Sequence, residues 1–188
     1  KVVKSTSGRK GDVFNPNTGE VQAKVDLASK AEVEAAIANA QAAFPGWATT
    51  NPQRRARVMF KFLELVQAEY DDLARLLSSE HGKTFDDAMG EVQRGIEVIE
   101  FVCGIPTLLK GDYSEQASTG VDVYSIRQPV GVVAGIPPFH FPALVPMWMW
   151  APAIACRNTF LPKPPANDTL TPSSNWRESP TSPCVPKW

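Results

Sequence analysis

Arg94, His140 and Lys163 are of the residue types that handle negative charge, and each has an ordinary surface reading beside that one. A guanidinium meets a carboxylate through two parallel hydrogen bonds, so Arg94 is a candidate for anion recognition. It also stands at helical spacing from Glu91 and Glu97, where a surface ion pair is worth about 0.2–0.5 kcal/mol. His140 lies in Pro137-Pro138-Phe139-His140-Phe141-Pro142. A neutral imidazole can donate from one nitrogen and changes charge near neutral pH; it can equally fill a turn. Lys163 follows a short apolar run and reads either as a solvated charge or as a ligand-facing one. The three cysteines, Cys103, Cys156 and Cys184, are scattered without metal-ligand spacing. That pattern suits reduced thiols of a cytoplasm or mitochondrial matrix, and predicts no metal site. Cys156, within an apolar stretch, reads as a core thiol.

The elements that must position these residues are legible around Arg127–Pro164. Val130–Ile136 is short, apolar and β-branched, the pattern of a buried strand. The prolines that follow impose an irregular turn, since each fixes its own φ and restricts the residue before it. Ala143–Cys156 has the length and composition of an apolar helix, and Asn158–Leu161 reads as a second strand. Strand, loop, helix and strand make one βαβ unit, whose ligands bind at the carboxyl ends of the strands. Pro137–Pro142 and Lys163 fall there.

Upstream, Val13-Phe14 and Val21–Val25 flank the turn cluster Asn15-Pro16-Asn17-Thr18-Gly19. Lys1–Gly11 reads as frayed or hairpin-like. Ser29 and Glu32 have capping-box spacing, and Val33, Ile37, Ala40 and Phe44 predict a helix ended by Pro45-Gly46. Asn51-Pro52 opens a second helix buried through Val58, Phe62, Leu65, Val66, Leu73, Leu76 and Leu77, with Gly82 as its C-cap. His81 marks the end of that helix. A third helix, about Thr84 to Val102, buries Ala88, Val92, Ile96 and Ile99, with Gly95 allowing close packing. Val121–Gln128 alternates as an exposed antiparallel strand.

The 188 residues carry a formal net charge of -1, which gives no reason to expect nucleic acid or an acidic membrane as partner. No Lys, Arg, Asp or Glu lies between Arg127 and Arg157, and about 20 apolar residues span a bilayer. Six prolines interrupt that run, and an interior proline costs a helix about 3 kcal/mol. The βαβ reading places most of them in loops or a first helical turn, so it is preferred to a membrane span.

Arg127–Pro164, RQPVGVVAGIPPFHFPALVPMWMWAPAIACRNTFLPKP, resembles the aldehyde dehydrogenase superfamily, most closely its CoA-acylating methylmalonate-semialdehyde branch. That branch typically reads QP(V/I/L)GVVAGI(A/T)PFNFP, an apolar helix with Met and Trp, then GNTF(I/L)LKPSE. DVFNPNTGEV, RRAR, EHGKT and EVQRGIEVIEF also match in order, so the resemblance runs from about Val13 to Pro164. It implies an α/β fold, with N-terminal helices and the first βαβ of a Rossmann-like parallel sheet belonging to an incomplete aldehyde dehydrogenase fold. The expected organisation is 1–111 for N-terminal strands and helices, 112–128 for strands that contact another subunit, and 129–164 for the first βαβ of the cofactor domain.

By that resemblance, a cysteine thiolate attacks the aldehyde, hydride passes to NAD, and the thioester is handed to coenzyme A. The small-molecule substrate is methylmalonate or malonate semialdehyde, and the full-length family member is a homo-oligomer, a tetramer. Arg94 matches the arginine that pairs with the substrate carboxylate. Pro137 and Phe139 match the nicotinamide ribose side of the cleft, and Lys163 the lysine that reaches the adenosine ribose. His140 replaces an asparagine whose amide donates to the oxyanion. The nucleophilic cysteine belongs to a later motif, and none of the three cysteines here occupies it. The alternative implied by its lack is a non-catalytic fragment that binds cofactor or another subunit. After Pro164 the family pattern gives way to PANDTLTPSSNWRESPTSPCVPKW, where Ala166 and Asn167 replace a Glu-Arg pair. Residues 165–188 are therefore expected to be disordered, and a shifted reading frame explains the change better than a linker.

Overall fold

The computed structural model describes residues 5–165, so the expectation for the tail lies outside the described residues except at Pro165. The chain begins with β1 (Lys10–Phe14) and β2 (Val21–Asp26), an antiparallel pair joined through Asn15–Glu20. Residues 5 and 6, in a segment expected to be frayed or hairpin-like, are tied to the next helix. Glu32 accepts from Ser5 Oγ at 2.8 Å and from the Thr6 N–H at 2.7 Å.

Helix α1 (Lys30–Ala48) starts with the capping box expected from Ser29 and Glu32. It does not stop at Pro45-Gly46 but continues through Ala48. Its buried residues are Ala36, Ala40, Trp47 and Ala48, whereas Val33 and Ile37 are exposed. The reason is tertiary: Trp47 inserts its ring into the core, and its indole Nε1 donates to the Ile154 carbonyl at 2.8 Å. That anchor outweighs the one intrahelical bond the proline forfeits.

The expected second helix is two. Helix α2 (Pro52–Ala68) and helix α3 (Tyr70–His81) meet at Glu69, which has left helical geometry. Asn51 caps α2, and Gly82 closes α3 in the left-handed conformation, φ 83°. Helix α4 (Phe85–Cys103), capped by Thr84, buries Ala88, Val92, Ile96 and Ile99 as expected, and also Glu91. At Gly95 an added Cβ would run into the Met147 sulfur, so the glycine permits close packing there. Helix α4 packs against α2 and α3, and a short α5 (Ile105–Leu108) follows it.

An exposed hairpin, β3 (Tyr113–Ser118) and β4 (Val121–Tyr124), comes next. Both strands fall within the 112–128 segment expected from the resemblance to hold strands, although only the alternation of Val121–Gln128 was legible from the residues themselves. The βαβ unit then closes the described chain: β5 (Val132–Gly135), α6 (Leu144–Ala155) and β6 (Thr159–Pro162). β5 and β6 are parallel, with Val132 opposite Thr159 and Gly135 opposite Pro162. Helices α1 and α6 both pack on this pair, and α6 also packs on α2 and α4. Helix α6 is thus the centre of the core, which runs from Trp47 through Phe62, Val92 and Ile99 to Met147, Trp150 and Phe160.

Asn158 holds the sheet's starting edge. Its Oδ1 accepts from the Val130 and Gly131 N–H groups at 2.7 and 3.0 Å, and its Nδ2 donates to Ala153 and Cys156 carbonyls. Among the described residues no helix is long and apolar enough to cross a membrane.

Two outcomes test this packing. An added Cβ at Gly135 would strike the buried Phe160 ring and approach Met149 Sδ at 3.1 Å; Gly135→Ala is expected to lower unfolding free energy by about 1–3 kcal/mol in a urea titration. Hydrogen bonds from the Ser29 and Thr6 backbone, then from the Ser5 hydroxyl, lower the Glu32 pKa to about 2. Its stabilisation is therefore full above the ordinary glutamate range and lost as pH falls through about 2. Glu32→Gln should flatten that acid limb of the stability profile.

Candidate functional site

The candidate site is the loop 136–143, at the carboxyl end of β5, together with Lys163 beyond β6. Gly135 ends β5 at a point where side-chain space is filled by Phe160, so the chain leaves the sheet there. The Lys163 N–H donates to the Gly135 carbonyl at 2.8 Å, which sets the two strand ends side by side. Pro137 is buried, Phe139 partly buried, and His140 exposed. The Phe139 ring lies 5.2 Å from the His81 ring, and the His140 ring 4.8 Å from that of Phe141. No hydrogen bond occupies the His140 ring nitrogens among the described residues, which leaves a donor available.

What holds this loop was not foreseen as a site. Glu91, on α4, is 3 % exposed and faces the start of α6. Its Oε1 accepts from the Ala143 and Leu144 N–H groups at 2.8 and 3.0 Å, while its Oε2 pairs with Lys83. Helix α6 has no side-chain cap of its own. The carboxylate therefore satisfies two amides at the positive end of the helix dipole. Lys83 also donates to the His140 carbonyl at 3.4 Å and sits 5.1 Å from the Phe141 ring centroid. At the other end of α6, Arg55 is fully buried; its Nε donates to the Ala155 carbonyl at 3.1 Å and its Nη1 to that of Thr50.

Lys83 and Glu91 fall within the motifs EHGKT and EVQRG, from which only Arg94 was singled out. A signal was nevertheless present. Glu91 lies on the same helical stripe as Ala88, Val92 and Ile99, and Arg55 on that of Met59, Phe62 and Val66. A charge at an apolar stripe position must find a partner inside.

Arg94 is exposed, one turn beyond Glu91 on α4, and forms no ion pair among the described residues. The pairing with Glu91 or Glu97 allowed by its spacing does not occur, because Glu91 is committed to Lys83 and α6. Arg94 makes no described contact with the loop. Lys163 is exposed and likewise without an ion pair among the described residues. Burial raises the thiol pKa of Cys103, with help from Glu100. Burial raises that of Cys156 too, with Arg55 opposing. Neither is a ready thiolate. The described residues contain no cluster suited to a metal ion.

An unpaired Lys163 beside a strand-end loop that carries an exposed imidazole forms a place for an anionic or polyhydroxylated ligand. Such a loop, leaving a parallel strand and entering an apolar helix, is where parallel α/β sheets bind ligands. The model of the aldehyde dehydrogenase family matches residues 2–175, and the chain is a member of that family. The match is wider at both ends than Val13–Pro164 and enters the segment after Pro164. The chain is 50% identical over 162 residues to the malonate-semialdehyde dehydrogenase of Pseudomonas aeruginosa, covering 86% of this chain and 33% of the relative. It is 48% identical over 166 residues to the mitochondrial, acylating methylmalonate-semialdehyde dehydrogenase of Arabidopsis thaliana, covering 88% and 27%. A Sinorhizobium meliloti protein, proposed to be a methylmalonate-semialdehyde dehydrogenase and solved with NAD, superposes with a TM-score of 0.89 at 56% identity. That superposition covers 93% of this chain and 36% of the solved one. The chain thus spans about a third of the length of these relatives. The family is one of oxidoreductase enzymes.

Burial, and next the charge of Lys83, hold the His81 imidazole below its ordinary pKa; Glu91 opposes this and His140 adds to it. The unfolded chain then binds a proton below about pH 6.5 that the folded chain refuses. The His81 contribution should be full above that pH and lost as pH falls through the lowered value. Denaturant midpoints measured across this range should decline for the wild type and decline less for His81→Gln.

Proposed function

We propose that this chain is the N-terminal portion of an NAD-dependent, CoA-acylating dehydrogenase of malonate or methylmalonate semialdehyde. The observation that carries the reading is the pairing of strand ends, with the Pro137–His140 loop beside Lys163, on a chain about half identical to such enzymes. The donor chemistry fits a dinucleotide: an exposed, unpaired Lys163 ammonium can reach ribose hydroxyls, while Pro137 and Phe139 offer backbone and an apolar wall. When bound, NAD supplies the hydride acceptor. His140 would donate from a ring nitrogen toward the developing oxyanion, in place of an amide. Arg94 would hold the carboxylate that distinguishes a semialdehyde of a dicarboxylic acid from a plain aldehyde. The nucleophile would come from outside the region described, since desolvation pushes both described thiols away from thiolate character. Residues 112–128 would serve contacts between subunits of a homo-oligomer, in the cytoplasm or mitochondrial matrix, and 129–164 the cofactor.

A second reading is favoured by the fully exposed β3–β4 hairpin. In it the chain binds cofactor or another subunit without turnover.

A fusion separates the two. Joining this chain to the remaining two thirds of the Pseudomonas aeruginosa relative should give NADH and acyl-CoA from malonate semialdehyde, NAD and CoA. The chain alone should give neither. In the fusion, Arg94→Met should raise KM for the semialdehyde, and His140→Asn should raise kcat, up to about 10²-fold if the imidazole donates poorly. A folded fusion that binds NAD but oxidises no semialdehyde, or does so without need of CoA, overturns the proposal.

A further inference from the structure

We propose that Lys83 and Glu91 are positioning residues, whose ion pair sets the orientation of the loop that presents Phe139 and His140. The inference rests on the reading of that loop as the face turned to cofactor and aldehyde. The loop has little to hold itself: Pro137, Pro138 and Pro142 bring no N–H, and α6 begins without a side-chain cap of its own. Both deficits are met from outside. Glu91 accepts from two successive amides at the loop's end, Ala143 and Leu144. Lys83, between α3 and α4, neutralises that buried carboxylate and reaches back to the His140 carbonyl, with its ammonium over the Phe141 ring.

The contacts of this one pair therefore run from residue 140 to residue 144. Two residues before Lys83, His81 adds a ring contact to Phe139. Glu91 and Arg94 are also one turn apart on a single helix, where side chains three residues apart are neighbours. The clamp that seats the loop is consequently built on the helix that carries the free guanidinium. A carboxylate spent only on general stability would not need its counter-ion to touch the loop.

Removing one partner alone would strand a buried charge. The variant of choice is therefore the neutral pair Lys83→Met with Glu91→Gln, which keeps an oxygen for the Ala143 and Leu144 amides. Hydrogen exchange of the chain itself, read by mass spectrometry, is the measurement. Amides of residues 139–144 should exchange about tenfold faster or more, while those of Val92, Ile96 and Ile99 keep wild-type protection. Lys83→Arg, which retains charge and reach, should restore slow exchange in the loop. If that double variant does not fold, the neutral pair Lys83→Gln with Glu91→Gln should show the same local loosening.

Unchanged loop protection overturns the proposal. So does an equal loss in loop and core, or loosening that Lys83→Arg does not prevent. NAD added to the wild-type chain forms a separate arm. If the variants loosen the loop but NAD protects none of its amides, the positioning role stands and the cofactor reading of the loop falls.

Discussion

Glu91 is a carboxylate taken almost wholly out of water, and much of the structure follows from how that cost is met. A charge in such surroundings needs a counter-ion and hydrogen-bond donors with good geometry. Lys83 supplies the first, and the leading amides of α6 supply the second. The arrangement can exist only if α4, the α3–α4 connection and the start of α6 meet at one point. It therefore orders three segments at once, and the Pro137–Pro142 loop is the piece of chain that must fit between them.

The far end of α6 is managed by the complementary chemistry. Trp47 and Arg55 donate to the Ile154 and Ala155 carbonyls at the helix's negative end, where the Arg157 N–H also reaches the Ile154 carbonyl at 3.1 Å. Arg157 then reverses the chain in the left-handed region, φ 76°, and its Nε donates to the Ala48 carbonyl at 2.7 Å. The related motif has glycine at this position, where φ is positive at no steric cost. Here a guanidinium contact to α1 accompanies a conformation that costs a residue with Cβ about 1–2 kcal/mol. A helix poor in polar side chains is thus held at both ends by side chains from other helices.

The loop that carries His140, and Lys163, follow the ends of adjacent parallel strands because β5 and β6 are in register from Val132–Thr159 to Gly135–Pro162. Parallel strands deliver both carboxyl ends to the same side, so residues more than twenty positions apart become neighbours. Proline at 162 fits this place: it offers no N–H to the ladder, and the next amide, of Lys163, closes the contact with Gly135 instead.

Local chemistry was enough to read much of this chain. Capping at Ser29, Asn51, Thr84 and Gly82, the 3.6-residue stripe of α4 and the alternation of strand, loop and apolar helix depend on neighbouring residues alone. The position of the Pro137–Pro142 loop, and of Lys163 after the second strand, was legible for the same reason, whereas the roles given to Pro137, Phe139, His140 and Lys163 rest on the family resemblance. Tertiary structure decided what long-range packing controls. Helix α1 passes Pro45 because Trp47 has a distant carbonyl to bind, and α2 and α3 divide at Glu69 although their apolar pattern runs on. Arg94 stays unpaired because Glu91 turns inward. Lys83 and Glu91 are separated by eight positions from each other, and by more than fifty from the His140 carbonyl and the Ala143 amide that they respectively bind. No local pattern records such a partnership, since a buried charge finds its partner by where helices cross and not by where residues stand in the chain.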